Sequence, residues 1–345
     1  MSLPDGLETQ IGPYLDEALR GDRSGAWRRL IGLYRHGVPP GDLVEMLAES
    51  QREVGERWYR NELSVADEHV ASGVSAATLA ALALESAPDE LAGHTLVACA
   101  EGEWHSLPAE MLGHALEARG VGVTFLGAST PAEAVVDYLS RHPVDALAIS
   151  CSFAVNFPGV ARLVDAAHAR GVPVLAGGRA FGTTSHRADR LGVDAWTDEA
   201  EVAATILKGW RDVPPTAPEA PVALDRAALE LLGAAPGRRG PMLADLDRRL
   251  PETAPAEHGR NARLVEDMVT LLQHLAAAWL VDDDSVLEEF VHWMRRRWHG
   301  QGVSTGEGAA AFDVARTAMG SSGPEATRLL EMAVAMVVPL AGGDA

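Results

Sequence analysis

The sequence predicts an α/β chain flanked by all-α regions: an N-terminal helical bundle, a five-stranded parallel sheet covered on both faces, and a C-terminal helical domain. Three observations point there. Between about Gly93 and Trp210, short apolar runs alternate with amphipathic stretches, which is how strands buried on both faces read when each is followed by its crossover helix. On either side of that segment, apolar residues recur at helical spacing. A proline-rich stretch without periodicity, Val213 to Val222, then reads as a semi-rigid linker.

Residues 1–90 form the predicted bundle, with Leu15, Leu19 and Leu30 at helical spacing and Gly37-Val38-Pro39-Pro40 as a break. Two of its helices should meet at Arg60-Asn61-Glu62-Leu63, and Ser64 followed by Asp67 predicts a capping box opening the second. Residues 91–212 hold the five strands, expected at Thr95 to Ala100, Val121 to Leu126, Ala146 to Cys151, Val172 to Ala176 and Asp194 to Thr197. Thr130-Pro131 marks a helix start, with proline placed where its missing N–H is harmless. After the linker at 213–223, residues 224–345 are helical again, and Leu264, Met268, Leu271, Leu275 and Trp279 line one face.

At 345 residues the chain exceeds what a single core usually holds. Hydrophobic residues at 47% and charged residues at 23% place it among globular proteins. A net charge of -20 with no basic arm makes direct nucleic-acid binding an unfavourable expectation. Cys99 and Cys151 both fall in apolar runs, so no disulfide framework is expected and a reducing cytoplasm fits. No basic-then-apolar leader opens the sequence, and the longest apolar run, Val74 to Leu84, is short for a bilayer, so neither export nor membrane insertion is expected.

In open parallel sheets, ligands bind beyond the carboxyl ends of the strands. The loop after the first strand reads Glu101-Gly102-Glu103-Trp104-His105-Ser106-Leu107-Pro108. A lone loop histidine is ordinarily solvated, but Glu103 stands close enough to take the proton of one imidazole nitrogen, the arrangement that fixes the tautomer of a metal ligand. In the bundle, Trp58 before the bend and Glu68-His69 after it come together if the two helices run antiparallel; taken singly, they read as a core aromatic and a solvated face. Gly177-Gly178 taken alone reads as a strand-end turn.

Taken together, Glu103-x-His105-x-x-Pro108, Ser150-x-Ser152 and Gly177-Gly178 resemble the cobalamin-binding domain, whose motif is Asp-x-His-x-x-Gly followed by Ser-x-Leu and Gly-Gly. The resemblance implies a Rossmann-like fold in which His105 is the lower cobalt ligand and the displaced nucleotide tail enters a slot beside the strands. There Ser150 can hydrogen-bond the tail's base, Ser152 takes the leucine's place, and Gly177 and Gly178 let a flat ring approach the backbone. Glutamate for aspartate at Glu103 conserves chemistry, whereas Pro108 and Ser152 alter the loop path and the packing of the slot. Trp58, nine residues, then Glu68-His69 resembles the upper-face cap of CarH-type light-sensing cobalamin proteins, which holds an adenosyl group. That likeness spans about Leu7 to Trp210. It departs in two ways: no DNA-binding helix-turn-helix precedes the bundle, and Tyr59 stands where those repressors carry the histidine that captures cobalt after photolysis.

After the linker, Phe290-Val291-His292-Trp293-Met294-Arg295-Arg296-Arg297-Trp298-His299 spreads three arginines around a helix, so at least one should turn inward and require an anion. His292, Arg295 and Arg296 could hold the propionates of a tetrapyrrole, or the stretch is a solvated basic helix end. His274 and His258 lack supporting spacing. The architecture resembles the photocobilins, which carry cobalamin with a bilin such as biliverdin; with no cysteine after Cys151, any bilin on this domain would be noncovalent. The expected function is therefore an adenosylcobalamin photoreceptor, a sensor and not an enzyme, signalling to an unknown protein effector, with a homo-oligomer as a further expectation. The alternatives are a corrinoid carrier for methyl transfer, which needs no adenosyl cap, and a module in which cobalamin is structural filling.

Overall fold

The computed structural model describes residues 6–60, 62–86, 91–216, 223–251, 259–320 and 322–337. Asn61 of the expected bend, residues 217–222 of the expected linker and His258 lie outside the described residues. The chain divides into two compact units, 1–221 and 222–345.

The first unit opens with α1 (Glu8–Leu19), α2 (Arg23–Arg35), α3 (Pro40–Tyr59) and α4 (Val65–Glu85). The capping box is present at α4: Ser64 Oγ accepts from the Asp67 N–H at 3.2 Å, and the Asp67 carboxylate accepts from the Ser64 N–H at 2.9 Å. The sheet region follows as β1 (Ala92–Cys99), α5 (Leu107–Glu117), β2 (Val121–Phe125), α6 (Ala132–Arg141), β3 (Ala146–Ser150), α7 (Phe157–His168), β4 (Val174–Gly177), α8 (His186–Arg190), β5 (Ala195–Trp196) and α9 (Ala200–Asp212). All five strands are parallel, in the order β2-β1-β3-β4-β5. The register pairs Cys99 with Ser150 and Ser150 with Gly177, so the three central strands end level with one another. Pro131 flanks α6 and does not open it, because its ψ of 146° is extended.

Apolar packing joins bundle and sheet. Tyr14, Leu30, Leu43, Met46 and Leu79 share one core with Met111 and Ala115 of α5, so the bundle rests on the helix that leaves the His105 loop. On one sheet face, Val97, Cys99, Ala148 and Leu175 pack with residues of α5 and α9, while α7 lies against β3 and β4. The second unit holds α10 (Arg226–Ala234), α11 (Arg239–Arg249), α12 (Arg260–Val281), α13 (Ser285–Gly300), α14 (Thr305–Met319) and α15 (Pro324–Val337). α12 is long and apolar enough to cross a bilayer, but 72% of that window is buried inside the unit, the mark of a core helix. Leu264, Met268, Leu271 and Leu275 form its buried face, with Trp279 half-buried.

Candidate functional site

The loop between β1 and α5 is organised around one buried carboxylate. Glu103 is 0% exposed. Its Oε1 accepts from the backbone N–H of His105 at 3.0 Å and meets the His105 Nδ1 at 2.6 Å. Its Oε2 accepts from the backbone N–H groups of Ser152 at 2.7 Å and Phe153 at 3.2 Å, and from Asn156 Nδ2 at 3.4 Å. Burial pushes the Glu103 carboxyl up, but the hydrogen bonds from the His105 ring and from the backbone of His105 and Ser152 outweigh it and hold it below the usual range.

The same contact acts on the imidazole. The hydrogen bond to Glu103 raises the pKa of His105 against the opposing effect of burial, and the charges of Glu103 and Glu68 raise it further. In the neutral ring, Nδ1 carries the proton that Glu103 accepts, so Nε2 presents its lone pair from a side chain 55% exposed. Phe153 flanks the ring with centroids 4.9 Å apart.

At the level strand ends, Ser150 is buried between Cys99 and Gly177. The two glycines have a reason that precedes any ligand. A Cβ on Gly178, whose φ is +106°, would stand 2.4 Å from the Cys151 carbonyl oxygen, and one on Gly177 would stand 2.8 Å from that of Thr197. Ser152 contributes its backbone N–H to Glu103.

From the bundle, Trp58 lies half-buried in the last turn of α3, and the Arg179 guanidinium sits 5.8 Å from the Tyr59 ring centroid, tying the end of α3 to the loop after β4. Glu68, in the first turn of α4, is near enough for its charge to act on His105. His69 Nε2 stands 3.5 Å from the Glu68 carboxylate, on a side chain 74% exposed that also lines a cavity of about 390 Å³ with Gly21, Arg23 and Val70. Phe153, Asn156 and Arg179 belong to the site and were not expected from the sequence.

Among the described residues, no group of three or more His, Cys, Asp or Glu is gathered into a metal cage. A single outward imidazole therefore suits an ion that brings its other donors with it, as in a macrocycle. Residues 93–208 match the B12 binding domain, and residues 11–83 match a second B12 binding domain. The chain is a cobalamin-binding protein. It is similar to the HTH-type transcriptional repressor CarH of Myxococcus xanthus, with 36% identity over 164 residues, 46% of this chain and 53% of the relative. The chain thus spans about half the length of that curated relative. In fold, the cobalamin-binding protein resembles the monomethylamine corrinoid protein of Methanosarcina barkeri, at 21% identity and a TM-score of 0.51, covering 58% of this chain and 99% of that one. A cobalamin-binding protein from Desulfitobacterium hafniense DCB-2 overlays at 19% identity over 58% of this chain and 98% of that one, but its TM-score of 0.34 carries no weight.

In the second unit, the arginine that turns inward is Arg297, not Arg295 or Arg296. Arg297 Nη1 and Trp298 Nε1 each donate to Asp267 of α12 at 2.8 Å, so the required anion comes from the chain itself. Burial raises the Asp267 pKa against those two partners. The buried stripe of α13 runs Leu287, Val291, Met294 and Trp298, which leaves His292, Arg295 and Arg296 on the exposed face. His292 Nδ1 lies 2.9 Å from the Glu288 carbonyl, and Arg295 donates to the Met336 carbonyl at 3.4 Å. His274 stacks on Phe290 at 4.3 Å, and burial depresses its pKa to about 4, so it is a neutral core residue.

Proposed function

We propose that the first unit is a light sensor that holds adenosylcobalamin between the β1–α5 loop and the bundle. The cofactor supplies a cobalt–carbon bond that light breaks. In this reading, His105 would hold the cobalt through Nε2, and Glu103 would fix its tautomer and raise its basicity. Ser150, Ser152, Gly177 and Gly178 border the slot for the nucleotide tail. Trp58 and Glu68 cover the opposite face and exclude water from the adenosyl group, with His69 at their edge. Tyr59 faces Arg179, so His69 and not Tyr59 is the bundle side chain that would hold the metal.

The observation that supports this best is the loop geometry, in which the buried Glu103 carboxylate meets His105 Nδ1 at 2.6 Å and leaves Nε2 on the outward side of a 55% exposed ring. The residues thus fit the cofactor without any protein cage for the metal. The output passes to a protein effector and not directly to nucleic acid, in keeping with a net charge of -20. A noncovalent bilin such as biliverdin, the second chromophore of this reading, would meet His292, Arg295 and Arg296 on the exposed face of α13.

Absorption spectra of the purified chain with adenosylcobalamin, in darkness and after illumination, test the proposal. A light-induced change that requires His105 supports it. Binding without any light response refutes the sensor and leaves the corrinoid carrier for methyl transfer. The same samples with added biliverdin test the bilin, a shifted long-wavelength band supporting it and an unshifted one removing it.

A further inference from the structure

A line of polar side chains crosses the apolar bundle and ends on Glu68. The Tyr14 hydroxyl of α1 lies 3.0 Å from Ser75 Oγ of α4. The Gln51 amide of α3 is 2.8 Å from Ser75 Oγ at one end and 2.9 Å from Ser72 Oγ at the other. Ser72 Oγ is 2.7 Å from Glu68 Oε1, one helical turn before it. Tyr14 and Ser75 are fully buried, so water does not satisfy them.

Counting hydrogens fixes the direction of the line. Ser72 has one hydroxyl hydrogen, and an ionised Glu68 can only accept, so that hydrogen belongs to Glu68. Gln51 must then turn Nε2 toward Ser72 and Oε1 toward Ser75, an exchange that leaves the shape of the amide unchanged. Ser75 donates to Gln51, and Tyr14 donates to Ser75. Every hydroxyl hydrogen then has one acceptor, one amide hydrogen of Gln51 joins them, and the line donates toward the carboxylate. Polar groups inside a bundle core cost stability relative to apolar packing. This line terminates on a bundle carboxylate whose charge is among the causes that raise the His105 pKa.

We propose that Tyr14, Ser75, Gln51 and Ser72 are positioning residues that hold the Glu68 carboxylate in one orientation, and that Gln51 thereby sets the preference for an adenosyl upper group over a methyl one. The proposal rests on the adenosylcobalamin reading above for its second clause only. Gln51→Met and Tyr14→Phe are made in the full chain, and dissociation constants are measured in darkness for adenosylcobalamin and methylcobalamin. Gln51→Met should weaken adenosylcobalamin about tenfold and methylcobalamin less than about twofold, with Tyr14→Phe a smaller change in the same direction. Equal losses for both cobalamins, or none for either, overturn the assignment.

The cofactor-free protein gives an independent arm. Melting temperatures of Gln51→Met, Glu68→Gln and the double variant should be non-additive, because both residues act on Ser72. Additivity overturns the line itself. A wild-type chain that binds neither cobalamin would sink the sensor reading, and the stability cycle would still decide whether the line holds Glu68.

Discussion

Replacing Glu103 and His105 separately should have very unequal consequences for stability and similar ones for ligation. In Glu103→Ala, the N–H groups of His105 and Ser152, which lie 3.0 and 2.7 Å from the carboxylate, lose their acceptor at a site with no exposure. An unsatisfied buried donor costs about 1–3 kcal/mol, and breaking a buried charged network costs about 3–5 kcal/mol, so roughly 4 kcal/mol is the working figure. For a unit of this size, where each kcal/mol moves the midpoint by about 2–4 °C, the melting temperature should fall by roughly 8–16 °C.

His105→Ala leaves those backbone bonds in place and removes a half-exposed ring, so its midpoint should drop by only about 2–4 °C. Both variants should lose the spectral signature of histidine ligation in a cobalamin titration, the first because the ring loses its anchor and the second because it loses the donor. Thermal unfolding of the cofactor-free proteins and absorbance titrations of the same preparations read out the two effects. Should His105→Ala unfold as early as Glu103→Ala, or Glu103→Ala keep its midpoint within about 2 °C, the account of Glu103 as the buried anchor of the loop would be refuted.

The raised pKa of His105 fixes a sign. Imidazolium has no lone pair, so ligation should fade as pH drops through that value, and Glu103→Gln, which removes the main cause of the rise, should move the loss to lower pH; an absorbance–pH series checks both. In the cofactor-free protein, the same pair stabilises fully below the unfolded histidine pKa and is lost as pH rises through the folded one, so the melting temperature should decline slightly across that interval. Asp267→Ala leaves the buried Trp298 N–H and Arg297 without their acceptor and should destabilise the second unit by roughly 2–4 kcal/mol in chemical denaturation, with cobalamin binding unchanged. Gly178→Ala combines a positive φ with a 2.4 Å clash against backbone and should yield insoluble or early-melting protein even without cofactor.

The strands were legible where burial alone defines them and blurred where pairing partners are remote. β1 begins at Ala92, ahead of its apolar run, because Ala92 pairs with Val121 of β2 and its N–H donates to the Gly120 carbonyl at 2.9 Å, partners some 28 positions away in sequence. Glu103 and His105 could be read as a pair because they lie two residues apart. Asn156, Phe153 and Arg179 could not, since only the closing of the sheet brings their loops to Glu103 and Tyr59. In α13, the inference that an inward arginine needs an anion was sound, but its choice among three successive arginines depended on the packing stripe that ends at Trp298. The polar line to Glu68 did leave a trace in the sequence: Ser75 interrupts an otherwise apolar run of α4, where a purely structural helix would carry alanine or leucine.

How a change over the upper face could reach His105 follows from what the bundle rests on. α3 carries Trp58 at its far end and packs along α5, whose Met111 and Ala115 sit in the bundle core. The two helices are also pinned by Arg119 and Glu45, 2.5 Å apart and largely shielded from solvent. α5 begins at Leu107, two residues after His105, so a displacement of α3 cannot leave the ligand loop untouched unless the α3–α5 contact yields first. Cores of this density resist continuous deformation and tend to switch between discrete packings. Arg119→Ala should therefore weaken the coupling without touching the site: the light-induced spectral change should persist, while the accompanying change in protease sensitivity of the α3–α5 region shrinks. If both responses survive intact, coupling does not run through α3 and α5.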